Sequence, residues 1–139
     1  MSASRRQLWF GTVLLTGALY GFVGVVFALP SSQARLWRVA AWIASAAVFA
    51  VHIGYEHFRL RNSPRTAALH VAVAVGIGGF ALALAATVHS LFVPPNYSRW
   101  RFGLALVVWP VITALPAFLV ALVATAVLAH LPKKRLAHD

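Results

Sequence analysis

Residues 102–131 read FGLALVVWPVITALPAFLVALVATAVLAHL, a run without one Lys, Arg, Asp or Glu. About 20 apolar residues suffice for a helix to cross the hydrocarbon core of a bilayer. The run lacks the period-2 alternation of a barrel strand, so it reads as a transmembrane helix. Two prolines, Pro110 and Pro116, interrupt its middle. Each frees a carbonyl and tends to kink the helix. The kink either fits the bundle or exposes a carbonyl to a cavity, where something must satisfy it.

Three similar runs precede it. One covers about residues 8–29 and stops at Pro30, and a second covers 36–58, between Arg35 and Arg59. The third covers 66–93, after Asn62-Ser63-Pro64 and before Pro94-Pro95. The expected fold is an all-α integral membrane four-helix bundle, up-down-up-down with short loops, forming one transmembrane domain over residues 1–139. The first run also admits a signal-peptide reading, with Arg5 and Arg6 ahead of it and Ser32-Gln33-Ala34 as a cleavage site. Its apolar region exceeds the roughly 7–15 residues of such signals, which favours the span.

Composition agrees. The chain is 61% hydrophobic and 10% charged, with a mean hydropathy of +0.81, whereas soluble domains carry about 25% charged residues. The absence of cysteine excludes disulfides and thiolate chemistry. The formal charge of +10 sits in short connectors and not in a basic domain, so it points to anionic lipid headgroups and not to nucleic acid. With four spans, Arg5, Arg6, Arg59, Arg61, Arg65, Lys133, Lys134 and Arg135 fall on one side. Only Arg35, Arg38, Arg99 and Arg101 fall on the other. That asymmetry predicts both termini in the cytoplasm, here of a bacterial inner membrane. Trp9, Trp37 and Trp100 lie at span ends, as an aromatic belt requires.

Small residues recur at helical spacing. Gly17, Gly21, Gly24 and Ala28 follow steps of +4, +3 and +4, and so do Gly79, Ala83, Ala86 and Ser90. Each set stays within about 40° of its first member on a helical wheel and lines one face. On the third helix that face extends back through Gly76 and Ala72. Such faces let backbones approach in lipid, so Gly17, Gly21, Gly24, Gly76, Gly79 and Ala83 are expected to pack helices, within the bundle or between copies. The stretches beginning at Pro30 and Pro95 also resemble each other, both ending in Arg and Trp. This suggests a parallel repeat of two helical hairpins beside plain compositional coincidence in an Ala- and Gly-rich chain.

The chain holds two acidic residues, Glu56 and Asp139. Arg38, Ser45, His52, Glu56 and Arg59 fall within about 60° of arc on the second helix, so one of its faces is polar from end to end. Polar groups in spans face the bundle interior or water. On the antiparallel neighbour, His70 starts at a depth similar to that of His52 and Glu56, so these three are expected to converge near the cytoplasmic leaflet. With Ser45 and Arg59 they form the candidate polar cluster.

Three readings of this cluster compete. In the first, Glu56 neutralises Arg59, Arg61 and Arg65 at the membrane boundary, and the protein is a non-enzymatic accessory or packing subunit, partnered with itself or another membrane protein. In the second, Glu56 and His52 are stations of a proton-linked transporter or channel. In the third, His52, Glu56 and His70 hold haem or a metal ion. The first is preferred at this level, with no cofactor. His52 and His57 lie about 140° apart on a helix and do not chelate together. No phosphate loop, Ser-His-Asp set or second intramembrane carboxylate supports a catalytic site.

Overall fold

In the computed structural model, which describes residues 3–28, 34–92 and 100–130, the regular structure is entirely helical. Side chains are described for residues 9–26, 35–92 and 100–130. The helices are α1 (Ala3–Ala28), α2 (Ala34–Gly54), α3 (Pro64–Phe92) and α4 (Trp100–His130). A π-helical turn, Tyr55–Arg59, continues α2. Four stretches are long and apolar enough to cross a membrane: Trp9–Val26, Arg35–Arg59, Pro64–Phe92 and Trp100–His130. Lys133, Lys134, Arg135, Arg99, His138, Asp139, the Ser32-Gln33 part of the cleavage-site reading and residues 30–33 and 95–99 of the two resembling stretches lie outside the described residues.

Each helix starts before its apolar run, α1 by five residues if Leu8 is taken as the expected start. Charge ends an apolar run but not a helix, since arginine is among the better helix formers. The start of α3 is set by local chemistry. Ser63 Oγ accepts the Thr66 amide at 3.3 Å and lies 2.8 Å from the Thr66 hydroxyl, while the Ser63 carbonyl accepts the Ala67 amide at 2.9 Å. Ser63 is therefore the N-cap, and Pro64 occupies the first helical position, where its missing N–H has no partner to lose. Ser63→Ala should lower stability by about 1 kcal/mol. A thermal scan in detergent would read this as a lowered midpoint, and an unchanged midpoint would show that the cap contributes nothing.

Between α2 and α3 the chain reverses tightly. Leu60 donates its amide to the Tyr55 carbonyl at 3.2 Å, and Asn62 donates to the Glu56 carbonyl at 3.3 Å. These bonds reach one residue further than those of an α-helical C-terminus, as a wider π turn requires. Arg61 closes the turn with φ 51°, a left-handed conformation usually left to glycine.

α3 is the hub, packed along α4 on one side and α1 on another, while α2 meets its neighbours sparsely and leans mainly on α1. Backbone proximity explains the first two contacts. A Cβ placed on Gly17 would stand 2.7 Å from Ile77 Cγ2, one on Gly21 2.9 Å from Ala81 Cβ, and one on Gly24 2.6 Å from Leu82 Cδ2. Numbers rise together along this contact, so α1 and α3 run in the same direction. Against α4 they run in opposition. Gly79 abuts Thr113 and Pro110, Gly76 abuts Ala114, and Thr125 donates its hydroxyl to the Pro64 carbonyl at 3.3 Å.

The small-residue faces are thus used within the chain: Gly17, Gly21 and Gly24 against α3, and Gly76 and Gly79 against α4, with Ala83 buried. Pro110 sits where Gly76 and Gly79 leave room, and α4 continues through both of its prolines. The two hairpins are unequal in packing, α3 with α4 being close and α1 with α2 sparse. A core of Ile53, Ala68, Val71 and Ala121 joins α2, α3 and α4. It lies at the sequence level of the π turn, beneath the polar cluster.

Candidate functional site

Glu56 is fully buried, an arrangement that requires partners for both carboxylate oxygens. The π turn and the reversal that follows supply one of them. Asn62, brought back by the left-handed Arg61, donates its side-chain amide to Oε2 at 2.6 Å. α3 supplies the other, since His70 Nδ1 lies 3.0 Å from Oε1 and 3.1 Å from Oε2. A carboxylate facing this nitrogen at hydrogen-bond distance favours a proton on Nδ1. His52, one turn before Glu56, places Nε2 at 3.7 Å from Oε1, within electrostatic reach but beyond a hydrogen bond. α1 covers the assembly, with the Trp9 ring 5.1 Å from the His70 ring at a tilt of 42°.

The expected ion pairs do not form. Glu56 is bonded by His70 and Asn62, and Arg59, Arg61 and Arg65 are exposed. The physical reason is the π turn, which takes more residues per turn and carries Arg59 off the face extrapolated at α-helical pitch. Long cationic side chains at a span end also extend readily to the water boundary. Ser45 and Arg38 are separated from Glu56 by depth. They line a different groove of about 460 Å³, together with Tyr20, Trp42 and Trp109.

Of the predicted cluster, the structure brings His52, Glu56 and His70 together and leaves Ser45 and Arg59 apart. His57 stacks edge-on against Phe58 at 4.9 Å, His89 is exposed, and His130 contacts the Ala126 carbonyl. Two members escaped sequence reasoning. Asn62 carries no periodic signal because it lies past the helix end, and Trp9 reads equally well as an interfacial anchor.

The metal and haem readings lack the geometry they need. Among the described residues no group of three or more His, Cys, Asp or Glu side chains is placed to hold a metal ion. His52 and His70 both direct a ring nitrogen toward Oε1 of the same carboxylate, which occupies the space where an iron between two imidazoles would sit.

His52 is only 3% exposed, and neither of its ring nitrogens has a hydrogen-bond partner. It forms part of the wall of a groove of about 1040 Å³ between α1 and α2, shared with Thr12, Leu15, Thr16, Val51 and Tyr55. The cluster therefore contains one satisfied imidazole, one unsatisfied imidazole and a carboxylate between them. No known protein family, curated protein or solved structure matches this chain.

Proposed function

We propose that the chain is an integral membrane protein of a bacterial inner membrane, with four spans in up-down-up-down order and cytoplasmic termini, that moves protons across the membrane by way of Glu56. The outward display of large apolar side chains supports insertion: Trp42, Phe92 and Leu15 are among the most exposed residues described. The excess of basic residues around residues 59–65 and at both ends of the chain supports the orientation.

The observation that carries the functional reading is the identity of the partners of Glu56. A guanidinium would hold the carboxylate permanently ionised. Its imidazole and carboxamide partners carry no fixed positive charge, so protonating the carboxylate would leave no buried cation unpaired. The small-residue faces, expected to pack within the bundle or between copies, are occupied within the chain, so they lend no support to an accessory subunit that binds a partner through them.

The test is proton movement in liposomes carrying a pH gradient, followed with an internal pH dye. Wild-type protein should dissipate the gradient, and Glu56→Gln should reduce the rate to that of protein-free liposomes while remaining folded. A wild-type rate equal to that of empty liposomes, or a Glu56→Gln rate equal to wild type, would refute the proposal.

A further inference from the structure

We infer that His70 is the residue through which protons pass between the cytoplasmic boundary and Glu56. The inference rests on the proton-linked reading and deepens it by naming the point of entry.

Glu56 has no exposed surface of its own, so a proton must reach it through a neighbour. Three side chains stand against its carboxylate: His52, Asn62 and His70. Asn62 offers a carboxamide N–H, which donates a hydrogen bond but does not titrate. His52 is an imidazole, but its side chain is 1% exposed and both of its nitrogens are sealed in the interior. The His70 side chain is 12% exposed. It alone of the three is both an imidazole and open to the outside.

The two nitrogens of the His70 ring face different ways. Nδ1 points inward, 3.0 Å from Oε1 and 3.1 Å from Oε2. Nε2 makes no hydrogen bond among the described residues, and it is not sealed off as the nitrogens of His52 are. From α1 the ring meets Trp9, which brings no charge, and its one ion-pair partner among the described residues is Glu56. Depth agrees with an entry point. His70 lies six residues after Pro64, about 9 Å from the start of α3 at 1.5 Å per residue, level with the span-end Trp9.

The transfer balances. A proton from outside binds the Nε2 lone pair and makes the ring a cation. Nδ1 then passes its own proton to Oε1, which leaves a neutral carboxylic acid and a neutral ring protonated on Nε2. The cluster gains one positive charge, and the reverse steps carry the proton out.

Two measurements test this in liposomes carrying a pH gradient. His70→Asn keeps an N–H for Glu56 but cannot relay a proton. It should hold the wild-type thermal midpoint and lower the flux about a hundredfold, the lower end of what a positioned proton-transfer group contributes. If His70 only held Glu56 in place, that variant would keep its flux. The second measurement uses diethylpyrocarbonate, which acylates accessible imidazole, on a chain with His57, His89, His130 and His138 all replaced by glutamine. Peptide mass mapping should find His70 modified and His52 untouched. Flux should fall with acylation and return with hydroxylamine, which removes the acyl group. Should His70→Asn fail to fold, the acylation result decides alone. Undiminished flux in His70→Asn, modification of His52 ahead of His70, or flux that survives acylation of His70 would overturn the entry assignment. Where flux still needs Glu56, the entry assignment alone falls. Absence of Glu56-dependent flux in the wild-type chain overturns the proton reading and the entry with it.

Discussion

Gly78→Leu is expected to lower stability by about 3 kcal/mol, the upper end for overpacking a close contact. A Cβ at Gly78 would stand 2.5 Å from Tyr20 Cβ and 3.4 Å from the Gly17 carbonyl and the Gly21 amide. Those neighbours are backbone or backbone-proximal atoms, which cannot swing aside as the end of a long side chain can. The only relief is to move α1 away from α3, which opens the Gly17, Gly21 and Gly24 contacts together. Gly11→Leu and Gly103→Leu are the controls, because nothing lies within 4 Å of a Cβ at either position. Both should be neutral or slightly stabilising, since leucine favours a helix over glycine by somewhat under about 1 kcal/mol. Thermal unfolding in detergent, with intrinsic tryptophan fluorescence as the probe, separates the three. Equal midpoints for Gly78→Leu and Gly11→Leu would mean that α1 does not pack on α3 through this face.

Glu56→Ala is expected to cost about 3 kcal/mol, and Glu56→Gln only about 1 kcal/mol. Alanine removes the acceptor for both the Asn62 amide and His70 Nδ1, and leaves a cavity where the largest fully buried side chain among the described residues stood. Glutamine keeps the shape and one carbonyl for Asn62, and its own amide can donate to His70 once that imidazole has shifted its proton to the other nitrogen. The contrast separates structure from function. A folded Glu56→Gln protein with no proton movement locates the effect in the ionisable group, whereas equal destabilisation by both substitutions would show that the carboxylate's charge, and not its hydrogen bonds, holds this end of the bundle together. Chemical denaturation of the two variants in the same micelle provides the comparison.

Much of the architecture was legible from residue types alone. Four apolar runs, each longer than a bilayer core, leave helices as the only economical solution, and all four helices are present. The glycine spacing in α1 and α3 identified packing faces because helical geometry places steps of three and four on one side. The pairing of His52 with Glu56 followed from the same rule, an i, i+4 relation on a single element. These are local properties, determined by composition and by the pitch of one helix.

What the sequence could not settle was decided where one element meets another. The π turn at Tyr55–Arg59 has no composition of its own. It changes the angular step just where the polar stripe was being extrapolated, and so turns Arg59 outward. Asn62 reaches Glu56 only because Arg61 adopts a left-handed conformation, and Trp9 covers His70 only because α1 packs on α3. Along the chain, Arg59 and Arg61 lie nearer to Glu56 than Asn62 does, and Arg65 lies farther. Local spacing names the candidates for a buried carboxylate, but chain reversal and interhelical packing choose among them, since a buried charge is satisfied by whatever donors the folded backbone brings within about 3 Å.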